Sequence, residues 1–556
     1  MRPDADASTW AAIAAFALSI VVYATVASSL PFYDKGEPRE ALVVQGALRG
    51  DDIVLPRPDA QHLPSKPPLF HWLAAVAIAF AGRANEFAVR LPSVVLGALA
   101  VALTTLVAAH AYGVAAGCIA AVVLGSSFEW MRAATQSRVD MTLTFFVIVA
   151  IWAWHVGVAE PARRRTVRVG YLASGAAVLT KGPVGLALPI LVLVADAFRR
   201  RDLRSLRRLV DVPGACGMLI VGAGWYALAW TRGGSAFVSR HFVHENVQRF
   251  VGWGSVAHRH PALYYFPALA VAFLPWTLAL PTAAQRLWHR REGDDAFLLV
   301  WIVSIFGFYS LAAGKRSTYL LPIFPPLAIL TGSALAASTE RPPGTPARVV
   351  LLATSFTVLA GALLVGFDRI ASLRPILDVL VAGTDRARLP AALDAVHADR
   401  GAVAVTLAIV AGALAVVALP NVGRTARLVA LGATAFGATV GLTAFGTYPV
   451  ASRLSTRPFA DRVLAHLRPG DRLCTCGDLD GALRFYLGGN VVPCNLLGPP
   501  PADARTSAIE PPATNPHGAR ERYHVWALPA SDFAGGRPCA THASHVMARA
   551  PAAESR

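Results

Sequence analysis

The sequence predicts an all-α protein that crosses a membrane many times. Its 556 residues are 55% hydrophobic and only 15% charged, and the mean hydropathy is +0.48. Soluble domains carry roughly 25% charged residues, and a soluble protein of this length needs that charge to cover its surface. The composition therefore excludes an ordinary cytosolic enzyme and favours a chain whose main solvent is lipid.

The hydrophobic residues are gathered into runs that suit membrane helices, which need about 20 apolar residues each. We expect about thirteen spans in the first four fifths of the chain. They lie near 10–30, 91–111, 113–131, 139–158, 169–180, 183–198, 210–230, 263–284, 297–313, 318–337, 349–367, 401–420 and 427–447. The first run is predicted to be a span and not a leader peptide, because acidic residues precede it and its apolar core is too long.

Arginine clusters predict which ends of the spans face the cytoplasm, since basic loops are retained there. Dense clusters at 163–168, 199–208 and 286–291 fit on one side of the membrane. The segment 31–90 then lies on the outer side. Within it, 68–82 is short for a span, so we predict an interfacial or re-entrant helix there.

The composition divides the chain into three predicted domains. Residues 1–340 form the transmembrane core with its outer loop, residues 341–447 add further spans, and residues 448–556 form a small α/β domain on the outer face. The last part lacks a further apolar run and contains strand-like stretches. Its four cysteines predict one or two disulfides, with a zinc site as the alternative; they are Cys474, Cys476, Cys494 and Cys539.

Lysine is rare in this chain, which has four lysines among 51 basic residues. On the predicted topology Lys35, Lys66, Lys181 and Lys315 all fall at the outer ends of spans or in outer loops. A lysine ammonium is a compact charge suited to phosphate oxygens. Phosphate binding is therefore one interpretation, and lysines that reach from the membrane to the interface are the other.

Further polar motifs fall at the same predicted depth. They are FYDKGEPRE at 32–40, SKPP at 65–68, SRVDMT at 137–142, TKGP at 180–183, GKRSTY at 314–319, and a loop over 232–262 that is rich in histidine. Secondary transporters place ionisable residues near the bilayer midplane. Carboxylates and cations collected at one membrane surface instead favour an enzyme that acts on a lipid-linked substrate.

The order of these motifs resembles the aminoarabinose transferase branch of the protein O-mannosyltransferase superfamily, whose members are membrane glycosyltransferases of the GT-C fold. The most specific matches are HENVQRF at 244–250, HP at 260–261, YY at 264–265 and PW at 275–276. The resemblance covers about residues 10 to 340. It implies a multi-span core with outer-loop helices, about thirteen spans, and a small outer C-terminal domain, in agreement with the charge and length arguments.

The resemblance also implies a reaction. A hexose or pentose carried on a polyprenyl phosphate is transferred with inversion to a lipid or cell-envelope glycan, at the periplasmic face of the bacterial cytoplasmic membrane. Lipid A is one candidate acceptor. The expected partners are the donor, the acceptor and membrane lipids, but no nucleic acid, since arginine-rich loops beside anionic lipid explain the net charge of +17.

Site residues follow from the same resemblance. Asp34 matches the first-loop acid, a candidate base, and Asp140 matches the second-loop acid; Glu37 is added for its proximity to Asp34. The residues expected to hold the donor phosphate are Lys66, Arg249 and Tyr319, with Lys315, and those expected to support the site are Arg138, Lys181, His244 and Glu245. The alternative for Asp34 and Glu37 is a solvated loop acid, and for Asp140 a helix-terminal charge paired with Arg138.

Departures from the family pattern leave three points open. Ser65 stands where the aminoarabinose branch has a glutamate, so the donor sugar, the acceptor and a divalent metal requirement stay open. Transfer to protein Ser or Thr is one alternative function. A flippase or transporter of lipid-linked sugars is another, and it would need no carboxylate at the head group.

Overall fold

The structure is a computed structural model. It describes residues 5–34, 36–50, 52–58, 66–238, 241, 260–289, 293–340, 345–369, 389–441, 443, 447–466, 473–476, 481–488, 491–493, 505–508, 524–528 and 545–549. These residues form two compact units. One comprises residues 1–29, 43–369 and 399–445, and the other residues 30–42, 370–398 and 446–556.

The secondary-structure elements described in the first unit are helices, joined by turns and short irregular segments. Its helices in the first half of the chain are α1 Ala5–Ser29, α2 Gly36–Leu48 (whose first turns belong to the second unit), α3 Leu69–Ala81, α4 Glu86–Tyr112, α5 Val114–Ser126, α6 Phe128–Ala134, α7 Val139–Ala159, α8 Arg164–Lys181, α9 Val184–Arg199, α10 Val212–Met218 and α11 Gly224–Val238. In the second half they are α12 Tyr265–Ala272, α13 Leu280–His289, α14 Gly293–Leu311, α15 Phe324–Glu340, α16 Thr345–Gly366, α18 Arg400–Ala418 and α19 Arg424–Val440, with α17 Leu389–Ala398 between them in the second unit.

Seven helices in the described residues are long and apolar enough to cross a membrane, and up to nine if each of two bent helix pairs is one span. The seven are Ala5–Ser29, Glu86–Tyr112, Val139–Ala159, Val212–Ser235, Gly293–Leu311, Ser317–Ser338 and Arg400–Ala418. The prediction of many spans is confirmed, while the number thirteen stays a prediction. The helix predicted at 68–82 is present as α3, which has 13 residues.

Two predicted spans are broken in the middle. The run 113–131 becomes α5 and α6, which bend by 70°, and the run 263–284 becomes a pair that bends by 104°. A break frees backbone groups that lipid cannot satisfy. Two hydrogen bonds join the two breaks. The Phe128 amide donates to the Leu274 carbonyl at 2.9 Å, and the Trp276 indole N–H donates to Ser126 Oγ at 2.9 Å.

Aromatic side chains fill the core of the first unit. Trp130, Trp301, Tyr265 and Phe324 are fully buried. Trp130 stacks on Phe324 with ring centroids 6.5 Å apart, which packs the bent segment α6 against the start of α15. The break between α5 and α6 is therefore part of the packed interior and does not lie at its edge.

The second unit combines helices with a five-stranded sheet. The sheet consists of β1 Leu473–Cys476, β2 Val491–Pro493, β3 Arg505–Ala508, β4 His524–Leu528 and β5 His545–Arg549 in the order β2-β1-β5-β4-β3. It is mixed, since β1 pairs with β2 in parallel and with β5 antiparallel, and β4 pairs with β5 in parallel. The helices of its C-terminal part are α20 Tyr448–Leu454, α21 Arg457–His466 and α22 Gly481–Leu487.

The predicted α/β character of the tail agrees with this sheet and these helices, while the domain boundaries stay predictions. Cys474 and Cys476 lie in β1. Cys494 and Cys539 lie outside the described residues, so the predicted disulfides are untested.

Candidate active site

The buried carboxylate of Asp140 lies at the centre of the candidate site. Asp140 is in the first turn of α7, where a negative charge is favoured by the exposed backbone amides of a helix start. Only 6% of the residue is exposed. A carboxylate this deep needs a cationic partner, and Lys181 provides it, with Nζ 2.5 Å from Asp140 Oδ1.

Lys181 is held at the site by the end of its helix. It is the last residue of α8, and the next residue, Gly182, has a φ of +89° that favours glycine and ends the helix. Pro183 then lies at the N-cap position, directly before α9. The TKGP motif thus forms the turn between α8 and α9, and this turn fixes the backbone from which Lys181 reaches Asp140.

Two further cations act on the same carboxylate. Lys66 and Arg138 both interact favourably with Asp140, and the contribution of Lys181 is larger than that of either. The main partner of Asp140 is thus a lysine 41 residues away in the sequence, and the neighbouring Arg138 contributes less. Three cations therefore act on this one carboxylate, and such a concentration of cationic groups suits an anionic ligand.

Tyr319 lies beside this cluster. Its ring centroid is 4.5 Å from Lys181 Nζ, and its ring contacts that of Tyr309 with centroids 5.2 Å apart. An aromatic face stabilises a neighbouring ammonium. The structure therefore brings together five residues that were predicted from four separate motifs, namely Asp140, Arg138, Lys181, Lys66 and Tyr319.

The 3₁₀ helix that carries Tyr319, Ser317–Ile323, is anchored from two sides. The Arg316 amide donates to the hydroxyl of Tyr265 at 3.3 Å, and Ser317 Oγ donates to Glu129 Oε1 at 3.1 Å. Glu129 is 2% exposed, and Arg132 binds it through both Nε and Nη2. Glu129 was not predicted as a site residue, although a carboxylate near the end of an apolar run is an available signal in the sequence.

Lys315 is buried two residues before this 3₁₀ helix, and it has different partners. Its ammonium donates to the carbonyls of Ala312 and His260, at 2.5 and 3.3 Å, and the residue is 4% exposed. Removal from water lowers the pKa of the Lys315 ammonium below its ordinary value of 10.5. Its predicted contact with the donor phosphate is a proposal.

Asp34 and Glu37 belong to the second unit. Asp34 Oδ1 accepts hydrogen bonds from the amides of Gly36 and Glu37, at 2.7 and 2.9 Å, and so caps the start of α2. Glu37 is fully buried, whereas Asp34 is half-buried. The helix start thus holds one oxygen of Asp34 in a defined place.

Three predicted site residues, Arg249, His244 and Glu245, lie outside the described residues, as does Lys35. Within the described residues, no group of three or more His, Cys, Asp or Glu side chains could hold a metal ion. The metal requirement is therefore as open as it was from the sequence.

Comparisons with known proteins agree on one family. A family model described as dolichyl-phosphate-mannose-protein mannosyltransferase matches residues 65–226. The undecaprenyl phosphate-alpha-4-amino-4-deoxy-L-arabinose arabinosyl transferase of Pseudomonas aeruginosa is 33% identical over 310 residues, which are 54% of this chain and 55% of the relative. That of Pseudomonas savastanoi is 31% identical over 317 residues, which are 56% of this chain and 59% of the relative. The chain thus matches a little over half the length of these curated relatives.

A solved structure extends the similarity to most of the chain. The crystal structure of ArnT from Cupriavidus metallidurans bound to undecaprenyl phosphate has a TM-score of 0.70 and 25% sequence identity, and the match covers 86% of this chain and 85% of that one. The fold and the comparisons together define a multi-pass membrane protein of the GT-C fold. Within that class, the chain is similar to ArnT and to the mannosyltransferases that the family model describes.

Proposed function

We propose that this protein is an inverting glycosyltransferase that moves a sugar from undecaprenyl phosphate, or a related polyprenyl phosphate, to a lipid or envelope glycan. The reaction takes place at the periplasmic face of the bacterial cytoplasmic membrane. The names of the relatives make 4-amino-4-deoxy-L-arabinose the first donor sugar to test, and a lipid A-like phosphate or hydroxyl the first acceptor.

The observation that carries the proposal is the cluster around Asp140. Lys181, Lys66 and Arg138 all act on this carboxylate, so three cations are concentrated at one place. A phosphate that enters beside Asp140 would meet these cations, with the hydroxyl of Tyr319 as an additional donor. Preorganised positive charge also stabilises the negative charge that develops on a leaving phosphate.

The proposed reaction is a single displacement at the anomeric carbon. The bond from this carbon to the phosphate oxygen breaks and leaves its electron pair on the phosphate, while an acceptor oxygen forms the new bond from the opposite face. For a hydroxyl acceptor, the proton passes to a carboxylate, for which Asp34 is the candidate. A phosphate acceptor is already ionised and needs no base.

Transfer to protein Ser or Thr is a second candidate function, because the matching family model is described as a protein mannosyltransferase. The two functions share the donor cluster and differ in the acceptor. A flippase would share the affinity for the lipid phosphate but would release no free polyprenyl phosphate.

Reconstituted protein tests the proposal directly. Proteoliposomes are supplied with undecaprenyl phosphate-linked aminoarabinose and lipid A, or with polyprenyl phosphate mannose and a Ser/Thr-rich peptide, and released polyprenyl phosphate and glycosylated acceptor are measured. Glycosylated lipid A supports the first function, and glycosylated peptide supports the second. Donor movement between leaflets without release of polyprenyl phosphate would support the flippase instead.

A matched pair of variants ties the activity to the site. Asp140→Asn removes the central carboxylate, whereas Asp294→Asn changes an exposed acid in the first turn of α14. We expect Asp140→Asn to lose at least about a hundredfold in turnover and Asp294→Asn to match the wild type. Equal turnover in both would reject the assignment of the site.

A further inference from the structure

The first-loop segment around Asp34 is attached to the C-terminal part of the second unit. Phe32 lies outside helices and strands, and its backbone amide donates to the hydroxyl of Tyr486 at 2.8 Å. The Phe32 side chain is fully buried. A buried backbone amide without a hydrogen-bond acceptor is unfavourable. The hydroxyl of Tyr486 provides this acceptor for the amide of Phe32.

Aromatic packing strengthens the same attachment. The ring of Phe32 meets that of Phe485 edge-on, with centroids 5.0 Å apart, and that of Tyr486 at 5.9 Å. Both partners lie in α22. Two neighbouring residues of one short helix therefore hold both the backbone and the side chain of Phe32.

The same helix also contacts the chain beyond Asp34. A Cβ placed on Gly481, the first residue of α22, would lie 3.5 Å from Pro38 Cβ and 3.7 Å from Leu42 Cδ1. Gly481 thus packs closely against the first turns of α2. Helix α22 contacts residues on both sides of Asp34, whose own carboxylate is bonded to the start of α2.

We propose that Tyr486 is a positioning residue for Asp34, an inference that rests on the proposed function of Asp34 in transfer. The hydroxyl of Tyr486 fixes Phe32, and the tight start of α2 fixes the other end of the segment. Asp34 is thereby held in one orientation relative to its own loop. This assigns the C-terminal domain a role in the chemical step through a residue that touches neither donor nor acceptor.

The test compares two tyrosines of the same unit. Tyr486→Phe removes only the hydroxyl that accepts from Phe32, and Tyr448→Phe removes a hydroxyl from a half-exposed residue, 48% accessible, as the matched control. We expect Tyr486→Phe to lower kcat about tenfold and to leave the donor KM within about twofold, because misplacement of a catalytic group affects the chemical step. Tyr448→Phe should match the wild type.

The readout separates positioning from a structural role. If Tyr486 only stabilises the fold, Tyr486→Phe will lower Tm and leave kcat unchanged per folded molecule, which overturns the inference. Should Tyr486→Phe fail to fold, Gly481→Val presses on Pro38 without touching the hydroxyl, with Gly481→Ala as its control. A kcat of Gly481→Val equal to that of Gly481→Ala also overturns the inference.

Asp34→Asn distinguishes this inference from the function on which it rests. Full hydroxyl transfer by Asp34→Asn refutes the role of Asp34 and, with it, the positioning role of Tyr486. Loss of transfer in Asp34→Asn combined with wild-type kcat in Tyr486→Phe refutes the positioning role alone. Loss of transfer in Asp34→Asn with the kcat-specific defect in Tyr486→Phe supports both.

Discussion

The ammonium of Lys181 lies 2.5 Å from the carboxylate of Asp140 and 4.5 Å from the ring of Tyr319. The ion pair joins the last residue of α8 to the first turn of α7. Because both groups are largely removed from water, an anion that binds there will compete with Asp140 for Lys181.

Removal of Lys181 should destabilise the protein as well as stop transfer. The side chains of Lys181 and Asp140 are 21% and 9% exposed, and loss of one partner from a buried pair costs about 3–5 kcal/mol. Lys181→Ala should therefore lower Tm in detergent. Addition of Asp140→Ala should recover part of the loss, because the carboxylate that lost its main partner is then also removed. Additive losses would contradict the pairing.

The hydroxyl of Ser317 should affect donor binding, because Ser317 anchors the 3₁₀ helix that carries Tyr319. Ser317→Ala removes the hydrogen bond to Glu129, whose net value is about 1 kcal/mol, and we expect donor affinity to fall about fivefold. The same change in a Glu129→Ala background should have no further effect. Ser310→Ala, in the preceding helix α14, is the control. Equal donor affinities for Ser317→Ala and Ser310→Ala would show that the hydrogen bond from Ser317 to Glu129 does not position the helix that carries Tyr319.

The two helix breaks should be energetically coupled. Ser126→Ala leaves the buried indole N–H of Trp276 without its acceptor, which costs about 1–3 kcal/mol. In combination with Trp276→Phe, the coupling measured by a double-mutant cycle should be about 1 kcal/mol. Ser333→Ala is the control, since this buried hydroxyl bonds to the Leu330 carbonyl in its own helix. Strict additivity of Ser126→Ala and Trp276→Phe would contradict the coupling.

Lys315 should give donor binding a dependence on pH. Its pKa is lowered by burial, so its charge is lost at a lower pH than that of an ordinary lysine. If the charged form contacts the donor phosphate, affinity should fall as pH rises through this lowered pKa. Lys315→Arg, which stays charged, should abolish that fall, as measured by donor titrations at a series of pH values. An identical pH dependence in both proteins would exclude Lys315 from phosphate binding.

Burial of Lys315 also predicts how folding stability responds to pH. Between the lowered pKa and 10.5, the unfolded chain binds more protons at this residue than the folded chain does. The contribution of Lys315 to the free energy of unfolding therefore rises with pH across that interval. This trend is opposite to the expected trend in donor affinity, so the two measurements separate folding from binding.

Much of the candidate site could be predicted from the order of its motifs. Asp140, Lys66, Tyr319 and Lys181 were all identified, and the helix end at Gly182 followed from glycine and proline in sequence. The partner of Asp140 was not predicted, because Arg138 is close in the chain whereas Lys181 is brought near only by the packing of α7 against α8. Glu129 and Tyr486 were missed for the same reason, since their contacts with Ser317 and Phe32 join segments that are distant in the sequence.

The sequence by itself determined that the chain is a multi-pass helical membrane protein, because apolar runs and sparse charge are properties of composition and spacing. It also determined which polar motifs lie near helix ends. Only the tertiary structure decided that two apolar runs break and bond to each other, that Lys181 neutralises Asp140, and that α22 holds Phe32. These contacts depend on distances between segments far apart in the chain, which local hydrophobicity and spacing do not encode.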